Sequence, residues 1–125
     1  MPTNLWPDFD IGRAPRSPKT VIEEVGGGLE KKTNGLVQFY RLNISIKDNQ
    51  VEAAFSLYAP PLHYHFPFLR AKFAVEPVYP VTVAADKLPD VVANDENELT
   101  ASLAKIFAAP STVETIQRLM SLAQQ

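Results

Sequence analysis

The chain has no cysteine. That single absence removes disulfides, thiolate nucleophiles and cysteine-ligated zinc or iron–sulfur centres. It also fits a cytoplasmic protein, which is the location expected here. Net charge is small too: 12 basic residues nearly balance 14 acidic ones, and the formal −2 gives no bulk attraction to nucleic acid or to an anionic membrane. No apolar run approaches the length of a membrane span. The opening stretch, MPTNLWPDFDIGRAPRSP, lacks a basic region followed by an apolar core, so no secretory signal is expected. Glycine is rare, and three of the five glycines are consecutive, at 26–28. The run GGGLEKKT does not have the spacing of a phosphate-binding loop, and what precedes it reads as helix rather than strand. No serine–histidine–acid order and no suggestively spaced carboxylate pair appears. No catalytic residue, no resident metal and no cofactor is therefore assigned.

What is present is ordinary in bulk and specific in pattern. A chain of 125 residues, 46% hydrophobic and 21% charged, makes one domain large enough to bury a core. The clearest signal is Leu36 to Ala59, which reads as one long β-hairpin. A turn at Asp48-Asn49 sets Ile46 opposite Val51, Ile44 opposite Ala53, Leu42 opposite Phe55, Tyr40 opposite Leu57 and Gln38 opposite Ala59. The other parity pairs Lys47 with Gln50, Ser45 with Glu52, Asn43 with Ala54, Arg41 with Ser56 and Phe39 with Tyr58. A slip of one residue would set apolar rows against polar ones, so both strands specify this register. One face needs a cover; the other is open.

Residues 1–16 read as an extended arm, with Pro2, Pro7 and Pro15 and no sustained period. Trp6, Phe9 and Ile11 imply that part of it docks, on its own domain or on a second subunit. Residues 17–125 form the domain. Ser17-Pro18 is a helix start, followed by the stripe Val21, Ile22, Val25 and Leu29. Asn34-Gly35 supplies the stop. The glycines inside favour one helix, weakened or kinked there. After Pro60-Pro61 a third strand runs from Leu62 to Pro77, with its apolar parity reversed at Pro67, the sign of a bulge or bend. Val78 to Ala85 reads as a short fourth strand. Asp86 to Glu98 is an acidic connector. A helix over Glu96 to Ala109 begins at an Asp95/Glu98 capping box and stops at Pro110. A last helix opens on a second box, Ser111 to Glu114.

The expected architecture is α+β, in the order α-β-β-β-β-α-α. It is a four-stranded antiparallel meander with helices packed on one face. Tyr40, Leu42, Ile44, Ile46, Val51, Phe55, Leu57, Leu69 and Phe73 are expected in its core. Three candidate surfaces follow. His63-Tyr64-His65 places two imidazoles at i and i+2 of a strand, a pair able to share one metal but short of the three protein ligands zinc requires. Arg41, Tyr58, Arg70 and Lys72 mix bases and an aromatic on the open sheet face, as single-strand nucleic-acid binders do. Trp6 and Phe9 suit self-association. The expected function is a non-enzymatic interaction or assembly module that associates with itself. The alternatives are single-stranded nucleic-acid binding through the open face and a small-molecule or metal site near His63 and His65.

Overall fold

Ser17 does what its place before a proline requires. In the computed structural model, which describes residues 5–9 and 16–124, its hydroxyl accepts the Thr20 N–H at 3.2 Å. Pro18 then opens helix α1 (Pro18–Gly26). The glycine run divides the expected single helix. Residues 27–28 form a turn, and a one-turn helix α2 (Leu29–Lys32) follows. The helix thus breaks instead of kinking, and the backbone also packs closely on the sheet. A Cβ built on Gly26 would stand 2.4 Å from a ring carbon of Phe39. Asn34 and Gly35 take positive φ (53° and 81°), and the Gly35 N–H returns to the Glu30 carbonyl at 2.8 Å, the expected stop.

Thr33 joins this helical segment to the sheet. Its buried hydroxyl accepts the Val37 N–H at 3.0 Å and lies within donating distance of the Leu29 and Val37 carbonyls, at 3.0 and 2.9 Å. Thr33→Val keeps the shape and strands the Val37 N–H. Denaturant unfolding should show a loss of about 1–3 kcal/mol, while Thr33→Ser should lose less. Equal stability of all three proteins would refute this role.

The sheet is an antiparallel meander of five strands in the order β1-β2-β3-β4-β5. They are β1 (Gln38–Lys47), β2 (Gln50–Ala59), β3 (Tyr64–Ala74), β4 (Val81–Ala85) and β5 (Val91–Ala93). The α+β meander stands, with one strand more than expected. β5 lies inside the stretch read as an acidic connector: Val91-Val92-Ala93 is too short to show alternation, but it pairs with β4 from Val81↔Ala93 to Val83↔Val91. Before β3, Pro60–Leu62 forms a 3-10 turn.

Helices α3 (Glu96–Ala108) and α4 (Pro110–Ala123) complete the layer over the sheet. Asp95 caps α3 by accepting the Glu98 N–H at 2.8 Å. The Glu98 carboxylate reaches back to the Asn94 N–H at 2.9 Å instead of to the cap residue's own. The second box is corrected. α4 starts one residue earlier than Ser111, with Pro110 in its first turn and no side-chain cap, because proline's fixed φ suits that position. Thr112 instead donates to the Ile106 carbonyl at 2.7 Å, closing the corner between the two helices. The core lies between the helices and one sheet face, where Val51, Ala53, Phe55, Leu57, Leu69, Ala71, Phe73, Val81 and Val83 meet Val21, Ile22, Leu99, Leu103 and Leu119.

The hairpin register agrees with expectation only near its turn. Ile46 pairs with Val51 and Ile44 with Ala53, but a bulge at Leu42 then shifts the strand. Beyond it Arg41 faces Phe55, Tyr40 faces Ser56, Phe39 faces Leu57 and Gln38 faces Tyr58. The parity change at Pro67 marks a second bulge: Phe55 pairs with Leu69 and Ser56 with Pro67, leaving Phe68 as the extra residue. Both extra residues therefore lie beside Phe55. The expected core row is corrected on β1. Tyr40, Leu42, Ile44 and Ile46 are exposed: the bulge turns Tyr40 to the open face, and Ile44 and Ile46 stay on the helix side of an edge strand whose end near the turn is uncovered.

Candidate functional site

The two bulges decide which side chains meet on the open face. Without them Phe39 would point outward and Tyr40 inward; with them Phe39 enters the core and Tyr40 joins Ser56, Tyr58 and His65 outside. The pairing Tyr58↔His65 brings those rings into a stack, with centroids 4.2 Å apart and planes at 21°. Tyr40 leans on both, 5.0 Å from His65 and 5.6 Å from Tyr58. Beneath them the Ser56 hydroxyl lies 2.9 Å from His65 Nδ1, and Ser56 is 0% exposed.

A serine hydrogen-bonded to a histidine is half of a nucleophile–base pair, but the chemistry does not follow. An electrophile must reach the hydroxyl, and this one is sealed under aromatic rings. The bond instead fixes the orientation of the imidazole. Among the described residues there is no group of three or more histidines and acids placed to hold a metal ion. His63 lies outside β3, in the left-handed region at φ 50°, so the i, i+2 rule of a strand does not apply to it and His65. Tyr64 pairs with Ala59 at the start of β3 and is exposed.

The basic residues do not act together. Arg41, expected on the open face, is turned by the bulge towards the helices, 3.7 Å from Glu23 of α1. Arg70 is on the open face, 3.6 Å from Glu52, and Lys72 pairs directly with that same Glu52. Glu52 is thus paired with Arg70 and stands opposite Lys72 in the register. Between Arg70 and the aromatic group lies a shallow depression of about 530 Å³ whose lining includes Asn43, Ser45, Ala54, Pro67 and Ala84. Elsewhere, the Tyr79 hydroxyl is buried without a hydrogen-bond partner among the described residues. Burial raises its pKa above the usual tyrosine value, and Glu96 and Asp95 raise it further against the opposing effect of Arg16.

The third candidate surface is apolar. Trp6 is 77% and Phe9 72% exposed, while Ile11 lies outside the described residues. The outer edge of β1 carries Ile44 and Ile46, 40% and 64% exposed. The alternation along β1 predicts those side chains, and Tyr40, in the core, and no spacing signals the contact of Ser56 with His65. Among the described residues no helix is long and apolar enough to cross a membrane. No protein-family model matches the chain, and neither a curated protein nor a solved structure matches it.

Proposed function

We propose that the protein is a non-enzymatic assembly module in which two copies join antiparallel along β1. The observation that supports this reading is the long outer edge of the sheet, with isoleucines exposed on it. A long edge strand with apolar side chains is a template for another strand. Chain geometry narrows the register. The two-residue turn makes Lys47 and Gln50 a hydrogen-bonded pair, and alternation then directs the N–H and C=O groups of Ile44 and Ile46 outward. A two-fold axis at Ser45 pairs each Ile44 with the other copy's Ile46 and sets Lys47 opposite Asn43. An axis one residue away, at Ile44, would set each Ile46 opposite the bulged Leu42, where the ladder is interrupted. The exposed Trp6 and Phe9 add apolar surface that a second copy would cover.

Light scattering after size-exclusion chromatography tests the reading. The native chain should elute at twice 13.9 kDa. The double variant Ile44→Lys/Ile46→Lys should elute as a single chain with an unchanged circular dichroism spectrum. A native protein that stays at the mass of one chain at its highest soluble concentration sinks the proposal. Nucleic-acid binding draws less support: the facing surfaces of Tyr58 and His65 are occupied by each other, Arg70 is paired with Glu52, and Arg41 is turned towards Glu23.

A further inference from the structure

The helix layer does not close completely over the sheet. Between the 27–28 turn, α4 and the bulged strands is a cleft of about 230 Å³, with Phe39, Phe68 and Phe107 in its lining. Phe39 and Phe107 meet edge to face at 5.6 Å, as do Phe39 and Phe68 at 6.4 Å. Phe39 and Phe107, with Leu29 and Ile116 of the walls, are only partly buried, so they present apolar surface to a concave space. Lining polar groups are few. The Thr112 hydroxyl is committed to the Ile106 carbonyl. Among the described residues the one charged residue of the lining is Lys32, one helical turn from Leu29 on the same side of α2. Among the described residues its ammonium has no ion-pair partner. Its neighbours Glu30 and Lys31 line a separate surface hollow.

We infer that this cleft binds a small apolar carboxylate, with its hydrocarbon among the phenylalanines and its carboxylate on Lys32. An apolar pocket with one convergent charged group is the usual form of a small-molecule site. The size sets the ligand class. The cleft exceeds the ~150 Å³ cavity that takes up benzene but falls below the ~300 Å³ lower end of drug-sized pockets. It suits one ring or a short alkyl chain, not a long-chain lipid. The charge sets the head group: a carboxylate gains an ion pair with Lys32, whereas an alcohol gains none and an amine is repelled. The glycine run keeps the space open. Gly28 lines the cleft, and a Cβ built on it would have no atom within 4 Å. The inference does not rest on pairing along β1.

Titration calorimetry with the full chain, using octanoate, 4-phenylbutyrate, octanol and octylamine below micelle formation, tests it. The two carboxylates should bind and each should raise the melting temperature, with octanol at least tenfold weaker and octylamine weaker still. Lys32→Glu should reverse the order of octanoate and octylamine, which a merely structural lysine would not do. Gly28 has φ −79° and ψ −8°, open to any side chain, so Gly28→Phe should fold normally, fill the cleft and abolish binding. The inference is overturned if octanoate and octanol bind equally, or if Lys32→Glu leaves the order unchanged. It is also overturned if Gly28→Phe abolishes self-association while the native chain binds no carboxylate, which would mean that a second copy's arm occupies the cleft.

Discussion

Gly26→Ala is expected to destabilise the protein by about 1–3 kcal/mol, the usual range for forcing an extra methyl group into a packed interior. At an ordinary exposed helical position the same change would help by roughly 0.5–1 kcal/mol, because alanine restricts the unfolded chain. The sign of the result is therefore the test. A Cβ at residue 26 would stand 2.4, 2.6 and 2.8 Å from three carbons of the Phe39 ring. The ring can yield only towards the cleft it lines, which would cost its stacking on Phe55 (centroids 5.2 Å apart) and its edge contact with Phe107 at 5.6 Å. The melting temperature should fall by roughly 4 °C for each kcal/mol lost. Phe39→Leu introduced with Gly26→Ala should cost less than the sum of the two single changes, because the smaller side chain relieves the clash. A stabilised Gly26→Ala protein would mean that α1 stands further from the sheet than described.

Phe55→Ala is expected to be the more damaging change, with a loss of about 3–5 kcal/mol in denaturant unfolding. Phe55 is 1% exposed and lies where both neighbouring strands carry an extra residue. Its ring is packed against Phe39, which in turn contacts Phe68 and Phe107. Removing it takes away the ring on which Phe39 is stacked, and a void there cannot be filled without moving two bulges. Phe55→Leu should lose less, because it leaves a smaller cavity. A loss under about 1 kcal/mol for the alanine variant would show that the site collapses freely.

How much of this was legible before the fold depends on where the deciding information sits. Ser17-Pro18, Asn34-Gly35 and Asp95 are local signals, and each acts where the sequence places it. The bulge at Phe68 was legible because Pro67 separates two stretches of opposite apolar parity. The bulge at Leu42 was hidden because Tyr40 and Leu42 are both apolar and continue the alternation of Ile44 and Ile46. The open face was misassigned for the same reason: one unseen extra residue moves Arg41 inward and Tyr40 outward. The exposure of Ile44 and Ile46 was beyond any period, because burial depends on what covers a strand, and α1 and α2 reach β1 without covering its end near the turn. The contact of Ser56 with His65 joins two strands across a shifted register, and the apolar cleft arises from how α1, α2 and α4 meet. Neither leaves a spacing to read. Ile44 and Ile46 look the same in sequence whether they fill a core or wait for a partner.

The paired bulges also bear on how chains of this fold can differ in length. At each bulge two residues stand opposite one, and the pairs on either side are already in step. A chain without Leu42 would still set Arg41 and Asn43 against Phe55 and Ala54, and one without Phe68 would still set Pro67 and Leu69 against Ser56 and Phe55. Each extra residue is a length change that leaves the neighbouring pairs in place. Related chains can accordingly gain or lose one residue in mid-strand, at these two positions, while keeping Tyr58 beside His65 and the same faces in and out. Length variation in this fold need not be confined to loops.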